Sequence, residues 1–413
     1  MSSSANKIKI LNDPIYGFTN IPNELVSDLV EHRYFQRLRR ISQLGLTYLV
    51  YPGAYHTRFS HALGAMHLMQ NAVKSLQSKG HLINREEEEA VLIAILLHDI
   101  GHGPFSHALE KSIVHGINHE DLSIMIMHKL NEEFDGKLSL AIKIFENKHP
   151  KIFLHQLISS QLDVDRLDYL KRDSFFSGVS EGIINSDRLI NMLNISKGEL
   201  VVDAKAIYSV EKFIIARRLM YWQVYLHKTV LSAEFILVKI LKRAKWLSKN
   251  RLKLFSTKSL KEFLDNSHSL NDFDNNKHLL EIFCQLDDND IMCSIKEWCY
   301  NKDIVLSTLS KMLIDRKLLK IELQEKPFST KYIESIKNKT ITKYGIKEED
   351  SCYMVFTNKI DNKAYNPKKE KINLLYKDGT ITDIAIAADQ LNISVLAQTV
   401  TKHFLCYPKN CSV

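Results

Sequence analysis

The sequence lacks the features that mark membrane-spanning and disulfide-stabilised proteins. No apolar run reaches the roughly 18 residues that a helix needs to cross a bilayer, and the N-terminal residues show no apolar signal-peptide core. The six cysteines all lie in the last third of the chain and form no Cys-x-x-Cys pair, so we expect reduced thiols. These absences predict a soluble cytoplasmic protein that does not associate with membranes.

Glycine and proline are also scarce, with 14 and 8 among 413 residues, whereas 45% of the residues are hydrophobic. This composition can build a large core, and the length suggests one large domain and a smaller one. The formal net charge of +8 permits anionic partners such as nucleotides, nucleic acid or acidic surfaces. It selects none of them, because lysine is spread through the C-terminal half without a dense basic block.

Long apolar-periodic segments dominate residues 22 to 250 and predict an all-helical bundle. Asn84 and the acidic run after it are typical of a helix start, Gly101 of a helix stop, and Asn118 of a further helix cap. Two more helices are predicted over Pro150–Asp173 and Ala206–Ala244.

The character of the sequence changes after about residue 250. Polar stretches rich in asparagine and aspartate separate shorter helices, and strand-like runs follow. Strands are predicted over Cys352–Thr357, Ile372–Tyr376 and Thr380–Ile384, and Asp378-Gly379 between the last two signals a hairpin. We therefore predict a mostly α protein, with a helical core over 1–250 and a smaller α+β region over 251–413.

The most informative feature is the adjacent pair His98-Asp99, which follows an apolar helical stretch. Burial of an unpaired aspartate costs several kcal/mol or forces its protonation, whereas a divalent cation takes the carboxylate as a ligand. His61 and Asp165, each on another predicted helix, can complete the set. Two imidazoles and two carboxylates suit a first-row divalent ion and leave positions for water or substrate. Each residue alone is more simply a core or helix-capping residue, so the prediction depends on all four.

Further segments accompany these four residues. They are Asn12-Asp13-Pro14-Ile15-Tyr16-Gly17, Phe35-Gln36-Arg37-Leu38-Arg39, Gln43-Leu44-Gly45, Tyr51-Pro52-Gly53-Ala54, Thr57-Arg58-Phe59-Ser60-His61, the run from His98 to His107, Asp163-Val164-Asp165-Arg166-Leu167-Asp168-Tyr169 and Tyr225-Leu226-His227-Lys228. Together they resemble the HD-domain phosphohydrolases, and within them the deoxynucleoside triphosphate (dNTP) triphosphohydrolase branch, over roughly residues 7 to 230.

This resemblance implies an HD-domain helical bundle that binds one divalent metal ion through His61, His98, Asp99 and Asp165. The metal could be Mn, Fe, Zn, Ni or Mg, because mixed histidine and aspartate sites accept all of them. The implied reaction is hydrolysis of dNTPs to deoxynucleoside and inorganic triphosphate. Relatives are dimers or higher oligomers, so a homo-oligomer, dimeric or tetrameric, is expected.

The resemblance also assigns the residues that act on the phosphate. His119 is the expected general acid, and Glu110 is expected to orient it. His102 and His107 are expected to contact the reacting phosphate. Imidazoles suit this work because they titrate near neutral pH.

Helical spacing adds contacts for the sugar. Positions 165, 169 and 173 recur every four residues, so Tyr169 and Asp173 should share the metal-facing side of their helix. Tyr169 could pack against a deoxyribose, and Asp173 could accept a hydrogen bond from its 3′-hydroxyl. Both interpretations compete with simpler ones, a core tyrosine and a surface ion pair.

Phosphate contacts are expected from arginine. Arg58, Arg166 and Arg217 are candidate phosphate clamps, because a guanidinium group binds phosphate through two nitrogens. Relatives often carry lysine where this chain has Arg166. The resemblance adds Gln43, near the sugar edge, and Tyr225 as further substrate contacts.

Some relatives are activated by nucleotides that bind between subunits. Lys9, Glu31, Gln36 and Arg39 fall where such a site begins, although Glu31 replaces the usual aspartate. Activation by nucleotides is therefore a hypothesis.

Two alternatives stay open. The chain could hydrolyse a nucleoside monophosphate, a cyclic nucleotide or another phosphoester, which would release a different product. It could instead be a regulatory scaffold that binds nucleic acid weakly, as its basic pI of about 8.9 allows. Salt-sensitive binding of single strands that persists after Asp165→Ala would favour the scaffold.

Overall fold

The computed structural model describes residues 9–110, 112, 116–362, 365–367, 370–388 and 399–412, with the side chains of His107 and Glu110 outside the described part. The described chain is mostly α-helical and includes three small sheets, so the predicted fold class is confirmed. None of its helices is both long enough and apolar enough to cross a bilayer.

The helices of the first half surround the predicted site. Their bounds are α1 Glu24–Glu31, α2 Arg33–Gln36, α3 Arg58–Ser78, α4 Arg85–Leu97, α5 Ser106–Glu110, α6 His119–Glu133, α7 Ser139–Phe145, α8 Ile152–Ile158, α9 Val164–Ser177 and α10 Ser186–Met192. The later helices are α11 Ile207–Met220, α12 Lys228–Lys249, α13 Lys258–Asp265, α14 Leu270–Asn275, α15 Lys277–Phe283, α16 Asp288–Trp298, α17 Ile304–Ile314, α18 Thr330–Tyr344 and α19 Ile384–Ala387.

Helix α4 lies at the centre of the core and ends at the metal-ligand pair. Every residue from Ala90 to Leu97 is buried, and the helix packs against α3 and α7. Its start is fixed by a capping box, in which Asn84 accepts the backbone N–H of Glu87 while the Glu87 carboxylate accepts that of Asn84. The predicted caps at Asn84 and Asn118 are both confirmed.

Two helices predicted as continuous are broken, and both predictions are wrong. The segment Pro150–Asp173 divides into α8 and α9, because the Asp163 carboxylate accepts the backbone N–H groups of Ser160 and Arg166 and so starts a new helix. The segment Ala206–Ala244 is interrupted between α11 and α12 by a π-helical turn over Tyr221–Tyr225.

Three small sheets complete the described chain. Their strands are β1 Ile10–Asp13, β2 Gly17–Asn20, β3 Leu193–Ser196, β4 Glu199–Asp203, β5 Lys320–Gln324, β6 Phe356–Asn362, β7 Asn373–Leu375, β8 Ile381–Asp383 and β9 Val400–Tyr407. They are ordered β1-β2, β3-β4-β7-β8 and β5-β9-β6. The hairpin around Asp378-Gly379 is confirmed, since β7 and β8 pair antiparallel.

The predicted strand Cys352–Thr357 is misplaced. A 3₁₀ turn covers Glu349–Tyr353, and β6 begins only at Phe356. Strand β4 pairs in parallel with β7, so that one sheet contains strands from both sides of residue 250. The division into two domains at that residue stays a prediction.

Candidate functional site

Three helix ends bring the four predicted metal ligands together. His61 lies in the first turn of α3, His98 and Asp99 follow the last residue of α4, and Asp165 lies in the first turn of α9. Helices α4 and α9 both pack against α3. The His61 side chain is fully buried, whereas a quarter of the Asp165 side chain is exposed. The site therefore has a closed inner wall and an open outer edge.

The distances fit convergence on a single ion. His61 Nε2 lies 3.1 Å from Asp165 Oδ1 and 3.9 Å from Asp99 Oδ2. His98 Nε2 lies 3.4 Å from Asp99 Oδ1 and 3.4 Å from Asp165 Oδ1. Neither ring nitrogen makes a hydrogen bond among the described residues, although both are buried.

The other nitrogen of each ring explains this arrangement. His61 Nδ1 contacts Asp168 Oδ2 at 2.7 Å, and His98 Nδ1 contacts the Ile95 carbonyl at 2.6 Å. When each ring carries a single proton, that N–H donates in the Nδ1 contact and a lone pair remains on Nε2. Two lone pairs then face carboxylate oxygens, an arrangement of acceptors that a divalent cation stabilises. The residues present therefore fit a metal ion.

The titration of the site is dominated by its carboxylates. Burial opposes a charge on His61, but the neighbouring Asp165 and Asp168 carboxylates outweigh it and raise the pKa of His61 to about 10. Burial also opposes ionisation of Asp165, yet the two histidines hold its pKa well below the usual value. The carboxylates are thus ionised at neutral pH, and a cation that binds them must displace the second proton of His61 from Nε2.

A buried ion-pair network supports His61 from behind. Arg172, which is fully buried, donates two hydrogen bonds to Asp168, at 2.9 and 3.0 Å, and a third to Asp13 at 2.9 Å. Gly64 makes room for it, because a Cβ atom there would lie 2.1 Å from Asp168 Oδ1. This network holds the carboxylate that orients the His61 ring.

Asp99 also contacts a second group of polar side chains. Arg58 Nη1 donates to Asp99 Oδ2 at 2.5 Å, and His102 Nε2 lies 3.2 Å from Asp99 Oδ1. The His102 ring stacks on His119, with centroids 3.8 Å apart, and Asp99, His102 and His119 are themselves close enough to hold a cation. Burial and the Arg58 charge lower the pKa of His102 to about 3. His102 is therefore neutral at pH 7.

The helix that carries His119 is held against the metal-ligand segment. Ser123 of α6 donates to the His98 carbonyl at 2.8 Å and accepts the Gly101 N–H at 2.9 Å. A Cβ atom on Gly101 would lie 2.3 Å from the His119 carbonyl oxygen and from the Ser123 nitrogen. Close approach of the two segments thus requires glycine at 101. The predicted roles of the His107 and Glu110 side chains fall outside the described residues.

The predicted sugar contacts lie along α9. The Tyr169 ring is 6.5 Å from the His61 ring and 6.3 Å from the Tyr225 ring. Tyr225 donates its hydroxyl to Asp173 Oδ2 at 2.6 Å. Spacing along the helix therefore brings Tyr169 and Asp173 to the same side as Asp165, with Tyr225 contributed by the π-helical turn.

The three predicted arginines each contain a buried donor without a partner. Among the described residues, the Nε atoms of Arg58, Arg166 and Arg217 make no hydrogen bond, and neither does the Gln43 side-chain oxygen. Arg166 pairs through Nη1 with Asp163. Burial raises the pKa of Tyr169, and the positive charges of Arg166 and Arg217 oppose that rise. Buried polar groups without partners are rare in folded proteins and point to a polar ligand.

The proposed activator residues contact one another within the chain. Lys9 pairs with Glu31, Gln36 donates to the Val30 carbonyl at 2.8 Å, and Arg39 donates to Gln36 at 2.9 Å. These contacts leave the hypothesis of nucleotide activation as it was.

Several residues of the site were not predicted. Asp163 and Asp168 belong to a motif that carried the resemblance, but no local pattern in the sequence shows that Asp168 contacts the His61 ring or that Asp163 pairs with Arg166. His56 contacts Asp173 at 2.7 Å across 117 positions of sequence. Tyr221, whose ring is 5.1 Å from Tyr225, lies in the π-helical turn. Single π-helical turns are common at functional sites, but a short sequence does not reveal them.

Known protein families match the part of this chain that carries the four candidate metal ligands. Residues 58–173 match the HD domain, and residues 184–267 match the HD associated region. YwfO of Bacillus subtilis is 33% identical to this chain, over 97% of the chain and 92% of YwfO. The chain belongs to the HD-domain family.

Relatives of this HD-domain protein include deoxynucleoside triphosphate triphosphohydrolases. The SAMHD1 homologue of Dictyostelium discoideum is 32% identical over 65% of this chain and 55% of its own length. SAMHD1 of Danio rerio is 30% identical over 43% of this chain and 35% of its own length. The predicted relationship to the triphosphohydrolase branch is confirmed.

Two solved structures are similar to this chain over nearly its full length. A phosphohydrolase from Bacteroides thetaiotaomicron is 51% identical with a TM-score of 0.94, over 97% of this chain and all of that one. A protein from Aquifex aeolicus is 27% identical with a TM-score of 0.72, over 98% and 97% of the two chains. The family and the histidine–aspartate site together make this chain a metal-dependent HD-domain phosphohydrolase.

Proposed function

We propose that this protein hydrolyses dNTPs to deoxynucleoside and inorganic triphosphate. The observation that carries the proposal is the set of buried arginine Nε atoms without partners, on Arg58, Arg166 and Arg217, in a site that also contains the four candidate metal ligands. A triphosphate bears several negative charges at neutral pH, and planar guanidinium groups bind it through paired hydrogen bonds. A simple phosphomonoester would need fewer cations.

The sugar contacts favour a nucleotide over inorganic polyphosphate. Tyr169 and Tyr225 offer apolar ring surface, and Asp173 offers a buried carboxylate for a hydroxyl donor. A tyrosine packed where a ribose 2′-hydroxyl would project favours deoxyribose. The triphosphohydrolase names of the SAMHD1 relatives are consistent with this substrate class.

In the proposed reaction, water attacks the α-phosphorus and the bond to the sugar O5′ breaks. A divalent ion held by His61, His98, Asp99 and Asp165 would supply an activated water and neutralise phosphate charge. His102 is neutral at pH 7 and can hydrogen-bond the reacting phosphate, but it has no excess proton to give. His119, stacked on it, is the proposed donor of the proton that O5′ takes as it leaves.

The test is a substrate panel. Metal-free protein is reloaded with Mn²⁺ or Mg²⁺, incubated with each dNTP, and its products are separated by ion-exchange chromatography. Intact triphosphate is expected, with none after removal of the metal. Release of orthophosphate or pyrophosphate instead would favour the broader class of phosphoester hydrolases, and no product from any dNTP with either metal would refute the proposal.

A variant pair tests the phosphate contact. Arg217→Gln should reduce kcat/KM by about tenfold or more, because a hydrogen bond to a charged group is lost. Arg218→Gln removes the same charge at the next position of α11 and should have a much smaller effect. Equal losses in the two variants would mean that Arg217 acts only through the general positive charge of the helix.

A further inference from the structure

His56 is a buried histidine to which the proposed reaction assigns no role. Its side chain is fully buried, and it lies on the segment that precedes α3. Its ring stacks on Phe176, with centroids 4.6 Å apart and planes 15° from parallel. Its backbone carbonyl accepts the N–H of Gln43 at 3.0 Å. The ring of His56 is therefore held by a neighbouring side chain, and its backbone is held by a neighbouring segment.

One polar contact of the ring explains its position. His56 Nε2 lies 2.7 Å from Asp173 Oδ1, so a ring N–H donates to the carboxylate. Among the described residues, the other nitrogen, Nδ1, makes no hydrogen bond. The Asp173 carboxylate is itself buried and receives the Tyr225 hydroxyl on Oδ2. Asp173 is thus held from both sides, one donor on each oxygen.

This arrangement leaves acceptor capacity on Asp173. Each carboxylate oxygen can accept two hydrogen bonds, so that one position on each oxygen is available for a ligand. The terminal torsion of an aspartate is broad and rotates easily when nothing holds it. Two donors from separate chain segments fix the plane of the carboxylate, and therefore fix the direction of the remaining lone pairs.

We propose that His56 is a positioning residue that holds Asp173 to accept the 3′-hydroxyl of the substrate sugar. The inference rests on the proposed function and deepens it by assigning the residue that orients the acceptor of the 3′-hydroxyl. His56 does not touch the substrate in this proposal. It acts through Asp173, so its loss should weaken recognition of the 3′-hydroxyl and leave the phosphate chemistry in place.

Three substitutions separate the hydrogen bond from the packing. His56→Gln can place an amide N–H near the position of Nε2, whereas His56→Asn is one bond shorter and cannot reach it. His56→Phe keeps a flat ring against Phe176 but has no donor. For each protein, the KM of a dNTP is compared with the inhibition constant of the matching 2′,3′-dideoxynucleoside triphosphate, which lacks the 3′-hydroxyl.

The wild-type protein should bind the dNTP better than the dideoxy compound by about tenfold or more, as one hydrogen bond to a charged group allows. His56→Asn and His56→Phe should raise the KM of the dNTP by a similar factor, with kcat and the dideoxy inhibition constant little changed, while His56→Gln should keep most of the difference. Either of the first two variants suffices if the other is insoluble.

Other outcomes overturn the proposal in distinguishable ways. A wild-type difference that survives in His56→Asn or His56→Phe would show that Asp173 needs no help from His56. A loss of kcat for all substrates in every variant, including His56→Gln, would assign His56 a packing role instead. Wild-type protein that binds the two compounds equally would refute this inference alone, and wild-type protein that hydrolyses no dNTP would refute the proposed function with it.

Discussion

Replacing Asp168 by asparagine should weaken metal binding without removing a metal ligand. Asp168 Oδ2 accepts hydrogen bonds from His61 Nδ1 at 2.7 Å and from Arg172 Nε at 2.9 Å, and Oδ1 accepts from Arg172 Nη2 at 3.0 Å. An asparagine oxygen can take the position of Oδ2, but its NH₂ group then faces the Nη2 donor. His61 keeps a hydrogen bond, although to a neutral group that supports the ring less well.

The expected magnitudes follow from these contacts. Loss of a charged partner behind a metal-ligating histidine lowers metal affinity by about 10- to 100-fold, which is about 1.4 to 2.7 kcal/mol. Removing one member of a buried ion pair costs about 3 kcal/mol or more of unfolding free energy. For Asp168→Asn we expect a loss of unfolding free energy near the lower end of this range, because Arg172 keeps its 2.9 Å hydrogen bond to Asp13.

Asp13→Asn is the matched control. It removes the other carboxylate from Arg172 and contacts no metal ligand in the described structure, while its remaining oxygen can still accept the Ile15 N–H. Metal affinity is measured by competition with a chelator, and stability by urea denaturation of the metal-free protein. Both variants should be destabilised, but only Asp168→Asn should lose metal affinity. Equal losses of affinity, or none in Asp168→Asn, would refute the reasoning.

Three further predictions concern the framework of the site. Gly64→Ala should destabilise the protein by about 1 to 3 kcal/mol in urea denaturation, because the new Cβ would meet buried charged atoms at 2.1 and 2.2 Å; wild-type stability would contradict the packing. Gly101→Ala should lower kcat by about tenfold or more, which raises the activation barrier by about 1.4 kcal/mol, because the new Cβ displaces the backbone at His119. Substrate binding should weaken less, and an unchanged kcat would contradict the prediction. The third prediction concerns Glu87. Burial opposes ionisation of its carboxyl group, but the hydrogen bond from Lys151 outweighs burial, so that the net effect is a lowered pKa. The stability that Glu87 adds over a Glu87→Gln variant is therefore present above the pKa of about 4.3 that glutamate has in an unfolded chain, and it is lost as the pH falls through the lower pKa of the folded protein. The thermal midpoints of the two proteins are compared from neutral pH into this acid range, and a difference that does not shrink on acidification would refute the prediction.

Features governed by short-range chemistry were predicted well. The helix starts at Asn84 and Asn118 follow from side chains that cap their own backbone, and the β7–β8 hairpin follows from Asp378-Gly379. The breaks at Asp163 and at Tyr221–Tyr225 were missed, because both segments keep a helical apolar period across the interruption. An aspartate inside a periodic segment can cap or simply face solvent, and periodicity does not distinguish the two.

The ligand types, their order and the family follow from the amino-acid sequence, because they depend on which side chains are present and how they are spaced. The packed fold sets how His61, His98, Asp99 and Asp165 face one another, since three helix ends must pack before their atoms converge. It also decided which residues support them, because contacts such as His56 with Asp173 join positions 117 residues apart. Distances between residues so far apart in the sequence are set by core packing, which local sequence patterns do not encode.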